Sequence, residues 1–370
     1  MKLTSLPLTP TCTFCGQAIE KPQPLDAKHM GECNMGRCQC GAIYASDATG
    51  HNIGNAMVEC LVHACNGNWD LAWNLLPDED YLTGRLEDYD EVTHQVVETR
   101  NLDGRCVRGV LFFVRLHKEI SEITERTEEK KETSTVPMEP LRDPKREKQR
   151  TSKSHIATLV AAGDIDGLVD LCFDDPRTLR FMQRLLYTPD EAQRWWTANV
   201  LGEVCGRFST RHPGQVSDLL YRLFEACSDS ASTSWGLIEA IGTIIAARPD
   251  IYGAFTRHLL RYASDPNSQA GMLWAIGTIA GPRPDLIRQT AFFKVLGFLQ
   301  NSDPTIRGLM ARILGRLHAA ETKAELKKLK NDDSEITIYE QGRAIQTRVS
   351  DLVLEALALI DQQGDQPNDR

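Results

Sequence analysis

The sequence predicts a mainly α protein, in which a C-terminal solenoid of paired helices follows a small, cysteine-rich α+β domain. Three observations predict it. Gly202, Gly242, Gly277 and Gly315 each close an apolar helical pattern (ANVLG, IEAIG, LWAIG, ARILG), at separations of 40, 35 and 38 residues. Two helices per period of this length indicate an α-solenoid, because a helix pair cannot bury its apolar face alone. Eight of the eleven cysteines lie between Cys12 and Cys106, in a block that also carries Trp, Tyr and Gly. Between these regions, residues 118–150 hold nine charges of each sign and almost no large apolar side chain.

Composition narrows the function classes. A chain of 370 residues is too long for one ordinary core. No apolar run approaches about 18 residues, so no membrane helix is expected. Net charge is −9 and the pI is about 5.6, which argues against a general nucleic-acid binder. The start, MKLTSLPLTPTC, shows no apolar core behind a basic flank, so the expectation is a cytoplasmic chain without a secretory signal. An odd cysteine total in that setting fits reduced thiols better than disulfides. The expected division is 1–117 for the cysteine-rich domain, 118–150 for a linker, 151–362 for the helical repeats and 363–370 for a flexible tail.

Within 1–117, Cys12-Thr13-Phe14-Cys15-Gly16 forms a C-x-x-C-G knuckle, and Cys33, Cys38, Cys40 and Gly41 follow. Two of the later cysteines would complete a tetrahedral four-thiolate site for structural zinc. An iron–sulfur cluster is the alternative on the same thiolates. Which two of Cys33, Cys38 and Cys40 complete the site stays open; the turn-like Cys38-Gln39-Cys40-Gly41 favours Cys38 and Cys40. His29 is a less favoured further candidate. The stretch Tyr44–Gly54 is polar, Gly-punctuated and unlike a core strand, and its Gly50-His51-Asn52 turn is a candidate ligand loop. A helix over 53–66 places Glu59 and His63 on one face, and with His51 and Cys60 these could form a second site. The stronger reading makes Met57, Cys60, Leu61 and Ala64 a buried stripe. Asn68 caps a second helix ending at Pro77. The acidic run from Asp78 to Glu91 reads as a solvated face, with a docking patch for a basic partner as the alternative. Arg108–Arg115 reads as a buried strand from its branched and aromatic content. The 118–150 segment, with the basic stretch 142–153 at its end, reads as a solvated tether, since its composition offers almost no core residues.

In the repeats, a cap or turn residue stands twelve positions before each glycine: Asp190, Ser230, Asp265 and Asp303. Pro follows two of them, as Asp265-Pro266 and Asp303-Pro304, a good helix start. Arg248-Pro249-Asp250 and Arg283-Pro284-Asp285 open the second helices. Alternation around Gln341-Gly342 predicts a β-hairpin over 336–348. Val349–Ile360 is then the closing helix. Trp195, Trp196, Trp235 and Trp274 recur in first helices, read as core packing, with a stacking surface as the alternative. The chain lacks G-x-S-x-G, G-x-x-x-x-G-K, G-x-G-x-x-G and H-E-x-x-H, so no catalytic residue is expected.

The segment DPTIRGLMARILGRL resembles the repeat signature of HEAT proteins of the phycobilisome-lyase type, D-P-x-x-R-x-x-A-x-x-L-G. Arg307 and Arg194 occupy the arginine slot; Gln269 and Ser234 depart from it. The resemblance covers about 160–362 and implies a HEAT-like solenoid. GECNMGRCQCGAIYASDATGHNIG, NWDLAWNLLPDEDY and the hairpin YEQGRAIQTRV resemble parts of HEAT-repeat proteins from sulfate-respiring anaerobic bacteria, which implies architecture and a cytoplasmic setting without a mechanism. The expected function is a non-enzymatic scaffold, with a zinc-stabilised head tethered to a surface that docks a protein partner. Alternatives are a lyase or maturation chaperone for a tetrapyrrole or metal cofactor, motivated by the repeat type and spare Cys and His, and an iron–sulfur electron-transfer module. Residues 151–370 carry 24 basic against 27 acidic side chains, which disfavours nucleic acid as a partner.

Overall fold

The computed structural model describes residues 8–24, 33–118, 120–121, 124, 136–143, 146–175, 177–228, 236–288 and 292–364. His29, Ser230, Ser234, Trp235, about half of the 118–150 segment and the tail from 365 lie outside the described residues. The chain forms two compact units. The first comprises Met1–Pro144 together with Phe208–Asp218; the second comprises Lys145–Arg207 and Leu219–Arg370. No helix among the described residues is long and apolar enough to cross a membrane.

The first unit is α+β. Its strands are β1 (Asn34–Arg37), β2 (Ile43–Asp47), β3 (Tyr81–Asp90), β4 (Gln95–Val96), β5 (Asn101–Leu102), β6 (Arg105–Cys106) and β7 (Gly109–Leu116); its helices are α1 (Ile53–Ala64) and α2 (Trp69–Asn74). An antiparallel sheet runs in the order β1-β2-β7-β3-β4. β7 lies at its centre with Leu111, Phe113 and Val114 buried, as its branched and aromatic content predicts. Asn68 caps α2 by accepting from the Leu71 amide at 2.9 Å.

One expectation fails here and one holds only in part, each for a physical reason. The stretch after Ile43 was expected to be unlike a core strand, yet all five residues of β2 are buried. Ile43 and Ala45 pack toward α1, against Ala56, Cys60 and Leu61. Tyr44 packs on the other side, with Leu111, Phe113, Cys12 and Cys38. A strand covered on both faces loses the polar–apolar alternation that identifies a half-exposed one. The acidic run was expected to be a solvated face, and Asp78, Glu79 and Glu87 are exposed, but its central part is the ten-residue β3, whose side chains alternate between sheltered and exposed along most of its length. Asp90 is 4% exposed and accepts two hydrogen bonds from Arg105, at 2.7 and 2.8 Å. Burial pushes its carboxyl up, but the Arg105 and Thr93 hydrogen bonds outweigh that and hold it down at about 2.

The second unit is helical. α3 (Lys153–Ala162), α4 (Ile165–Asp174) and α5 (Arg177–Leu185) precede α6 (Glu191–Phe208) and α7 (Pro213–Ser228), both of which cross a boundary between the units. Then come α8 (Leu237–Ala247), α9 (Pro249–Tyr252) with the 3-10 stretch Gly253–Ser264, α10 (Gln269–Ala280), α11 (Pro284–Arg288) with Phe292–Gln300, α12 (Pro304–Arg316) and α13 (Lys323–Lys328). The hairpin β8 (Glu335–Glu340) and β9 (Arg343–Arg348) leads into α14 (Val349–Gly364). Gln341 and Gly342 both take positive φ, 48° and 74°, as a two-residue hairpin turn requires.

The four repeat glycines lie inside their helices and none has a positive φ, so they serve close packing and not helix exit. A Cβ on Gly202 would stand 2.6 Å from the Thr243 Cβ, on Gly242 2.6 Å from the Ala275 Cβ, on Gly277 3.3 Å from Ile313 and on Gly315 2.6 Å from the Ala356 Cα. Each contact joins one first helix to the next, α6 to α8, α10, α12 and α14 in turn. This stack makes the unit a HEAT-like α-solenoid. Asp190 caps α6 through the Gln193 amide at 3.0 Å, and Asp303 caps α12 through the Thr305 amide at 2.8 Å. Asp265 does not directly precede α10, which begins at Gln269 after a turn that Asp265 holds through the Asn267 amide at 3.2 Å. The arginine slot has a common geometry. Arg194 donates to the carbonyls of Thr188 and Pro189, at 2.8 and 3.1 Å, and Arg307 to those of Asn301 and Ser302, at 2.8 and 3.0 Å.

Candidate metal centre

Two knuckles built alike bring four thiols together. In the first, the Gly16 amide donates to the Cys12 carbonyl at 2.8 Å, and the Cys12 amide to that of Gln17 at 2.8 Å. In the second, the Gly41 amide donates to the Cys38 carbonyl at 2.9 Å, and the Cys38 amide to that of Ala42 at 2.8 Å. Gly16 and Gly41 take φ of 73° and 87°, which side chains with a Cβ rarely adopt. Cys12 Sγ lies 3.7 Å from Cys40 Sγ, and Cys15 Sγ lies 3.5 Å from Cys38 Sγ. All four sulfurs fall within 4.8 Å of one another. A tetrahedron of sulfurs about 2.3 Å from a metal has edges of roughly 3.8 Å. The donor set therefore has the size and the chemistry of a four-thiolate centre. Cys12 and Cys38 are buried, Cys40 is half-buried and Cys15 is exposed.

The thiols are not equivalent. Burial pushes Cys12 up and Cys38 up to about 12. Burial also acts on Cys40, but the Ala42 amide and hydrogen bonds from the neighbouring thiols outweigh it and bring that thiol down to about 7. One thiol of the four is thus poised to ionise near neutral pH, the form in which sulfur ligates metal.

Cys33, also a sequence candidate, is not in this group. It packs with the cluster that faces α1. Its amide donates to Glu59 Oε2 at 2.9 Å, and its sulfur lies 3.7 Å from Asn55 Nδ2. The alternation of a strand separates it: it shares parity with Met35, which faces the same cluster.

The suggested second site does not assemble. Glu59 is 4% exposed and binds Asn55 and the Cys33 amide. Cys60 is fully buried and points its thiol at the Phe112 carbonyl, at 3.5 Å, while His51 is exposed. Among the described residues, the four-cysteine group is the one set of three or more His, Cys, Asp or Glu placed for a metal. The Gly50-His51-Asn52 turn is tied down by Asp47, which accepts from the Thr49 and Asn52 amides at 2.9 and 2.7 Å.

The tryptophans divide between the two readings. Trp196 is half-buried and donates to the Val160 carbonyl at 2.7 Å. Trp195 is half-buried and stacks on Tyr339, with centroids 4.3 Å apart and an interplanar angle of 9°. Sequence reasoning misses Tyr339 and its acidic neighbours Glu191 and Glu239, because they meet only when three first helices and the hairpin stack.

No family model matches the chain, and no curated protein matches it. Among solved structures, an engineered protein shows 14% identity and a TM-score of 0.39, covering 57% of this chain and 90% of its own. A designed armadillo repeat protein shows 15% identity and a TM-score of 0.38, covering 56% and 91%. The HEAT-like repeats protein of the archaeon Thermococcus onnurineus NA1 shows 14% identity and a TM-score of 0.27, covering 58% and 97%. The fold assignment here rests on the helix stack itself.

Proposed function

We propose that this protein is a non-enzymatic adaptor, in which a zinc-stabilised head accompanies a HEAT-like solenoid that docks a protein partner. The observation that carries the reading is the repeated glycine contact between first helices. It stacks the repeats through their interiors, the arrangement in which solenoids present an extended surface to a partner. Cys12, Cys15, Cys38 and Cys40 would hold the zinc, which supplies no chemistry beyond cross-linking two knuckles around one face of the sheet. A closed four-thiolate set suits a structural site, since a catalytic zinc keeps an open position.

Two measurements test it. Elemental mass spectrometry on protein purified without oxygen and without added metal should give about one zinc per chain. Stoichiometric iron would replace the structural head with a cluster-carrying one. Mild affinity purification from native cells should retain one partner in constant ratio to the full chain. A chain that retains nothing under these conditions would count against the adaptor.

A further inference from the structure

The second unit carries a cleft of about 300 Å³, unrelated to the cysteine cluster, whose lining includes Glu191, Trp195, Glu239, Trp274 and Tyr339. These come from three successive first helices, α6, α8 and α10, and from the hairpin. The aromatic part is fixed. Trp195 lies flat on Tyr339, and Trp274 meets Trp195 edge-on, with centroids 4.6 Å apart and planes at 70°. The Trp274 indole N–H donates to the Tyr339 carbonyl at 2.7 Å, so the hairpin is pinned to α10 at the cleft wall.

The polar part is incomplete. Glu239 Oε2 is closed off from solvent and has no hydrogen-bond partner. Burial pushes this carboxyl up and the Glu191 carboxylate adds to it, although its own backbone amide and the Arg194 guanidinium act in the opposite direction. Gly271 makes the room for it, since a Cβ there would stand 2.7 Å from Glu239 Oε1. Arg194 also lines the cleft, but its Nη1 is committed to the Thr188 and Pro189 carbonyls. A sheltered carboxylate oxygen without a donor is costly, and a ligand that brings a charged N–H relieves that cost.

Three aromatic rings, and two carboxylates set against the one guanidinium of Arg194, leave the cleft acidic and favour a cation that also donates hydrogen bonds. A volume of about 300 Å³ is at the small end for ligand sites and admits one flexible side chain. We propose that the cleft binds a primary alkylammonium, and that its occupant is a lysine side chain of the partner protein. This rests on the adaptor reading and names the chemistry of the contact. A trimethylated ammonium would satisfy the rings and leave Glu239 Oε2 without a donor, so the unmethylated form is the better ligand.

The test uses the full chain labelled with ¹⁵N at tryptophan, with the indole signals of Trp195 and Trp274 assigned by single Trp→Phe variants. The probes are Nα-acetyl-lysine methylamide, its trimethyl-lysine counterpart and the neutral norleucine isostere. The lysine probe should shift both indole signals saturably, and the norleucine probe should not. Glu239→Gln, which keeps the side-chain volume, should weaken the lysine probe at least about tenfold and narrow its advantage over the trimethylated one. Tyr339→Leu should weaken both charged probes, and an unchanged circular-dichroism melt for either variant excludes misfolding. Equal shifts from lysine and norleucine probes, no saturable shift, or an unaltered Glu239→Gln would overturn the assignment. If the probe fails while a partner is still retained, the cleft assignment falls and the adaptor stands. If the probe binds and no partner is retained, the adaptor reading falls while the ammonium site remains.

Discussion

Arg248 shows how much one residue pair can carry. Its side chain is 1% exposed and binds Asp250 through Nε and Nη2, at 2.9 and 2.8 Å. The same Arg-Pro-Asp turn recurs at Arg283 and Asp285, at 2.8 and 2.7 Å, but there the carboxylate is 45% exposed. Breaking a buried pair leaves a charge that water cannot reach, whereas an exposed pair contributes little. Asp250→Asn should therefore lower stability by about 3 kcal/mol, and Asp285→Asn by under about 1 kcal/mol, in urea unfolding followed by circular dichroism. Comparable losses would show that the first pair is not uniquely sheltered. The cysteines allow an equally local test. Cys38→Ser should abolish bound metal and Cys33→Ser should leave it near one per chain, as read by elemental analysis. Loss of metal in Cys33→Ser alone would reverse the assignment. The knuckle motif made Cys12 and Cys15 legible in the sequence. The turn-like Cys38-Gln39-Cys40-Gly41 favoured Cys38 and Cys40 over Cys33, and the choice closed only once the second knuckle and the packing of Cys33 toward α1 were placed, since these depend on contacts distant in sequence.

Among the elements, the repeat glycines test the stack. Gly→Ala in a helix interior gains up to about 1 kcal/mol from backbone entropy. At Gly277 the new methyl would stand 3.3 Å from Cγ1 of Ile313, a side-chain atom that needs to give by only a few tenths of an ångström. At Gly242 it would stand 2.7 Å from the Ala275 Cα, where backbone must move. Gly277→Ala should be near neutral, while Gly242→Ala should cost about 1–3 kcal/mol by overpacking. Thermal unfolding of the two variants checks this, and equal melting temperatures would contradict the contacts described. The period of these glycines was readable, and with it the solenoid. Their role was not, since a glycine after an apolar run looks the same whether it ends a helix or admits a neighbour. The helices were visible because long apolar runs stand between cap and turn residues, and the hairpin because apolar and polar residues alternate around Gln341-Gly342. β2 was hidden because both of its faces are covered, and β3 because its acidic side chains concealed the alternating shelter beneath them.

At the scale of the whole chain, the first unit is not continuous in sequence. Phe208–Asp218 belongs to it although about sixty residues of helix intervene after Pro144. Arg211, 4% exposed, donates through Nε to the Glu139 carbonyl at 2.7 Å, and Thr210 Oγ1 accepts from the Glu139 amide at 3.1 Å. The Gly214 amide donates to Asn55 Oδ1 at 3.2 Å, and a Cβ on Gly214 would stand 2.7 Å from the Asn55 Cα. Nothing in the local pattern of FSTRHPGQVSD announces this, because the segment's partners lie more than seventy residues away and periodicity reports only neighbours. The consequence is testable in the intact protein. Gly214→Ala should push the segment off Asn55, so amide hydrogen exchange should quicken across 53–64 and 136–143. Protection across 304–316 and 349–360, whose packing involves other helices of the solenoid, should be retained. Exchange that rises across 304–316 while 53–64 stays protected would mean that Phe208–Asp218 is held by the solenoid, and that the first unit closes without it.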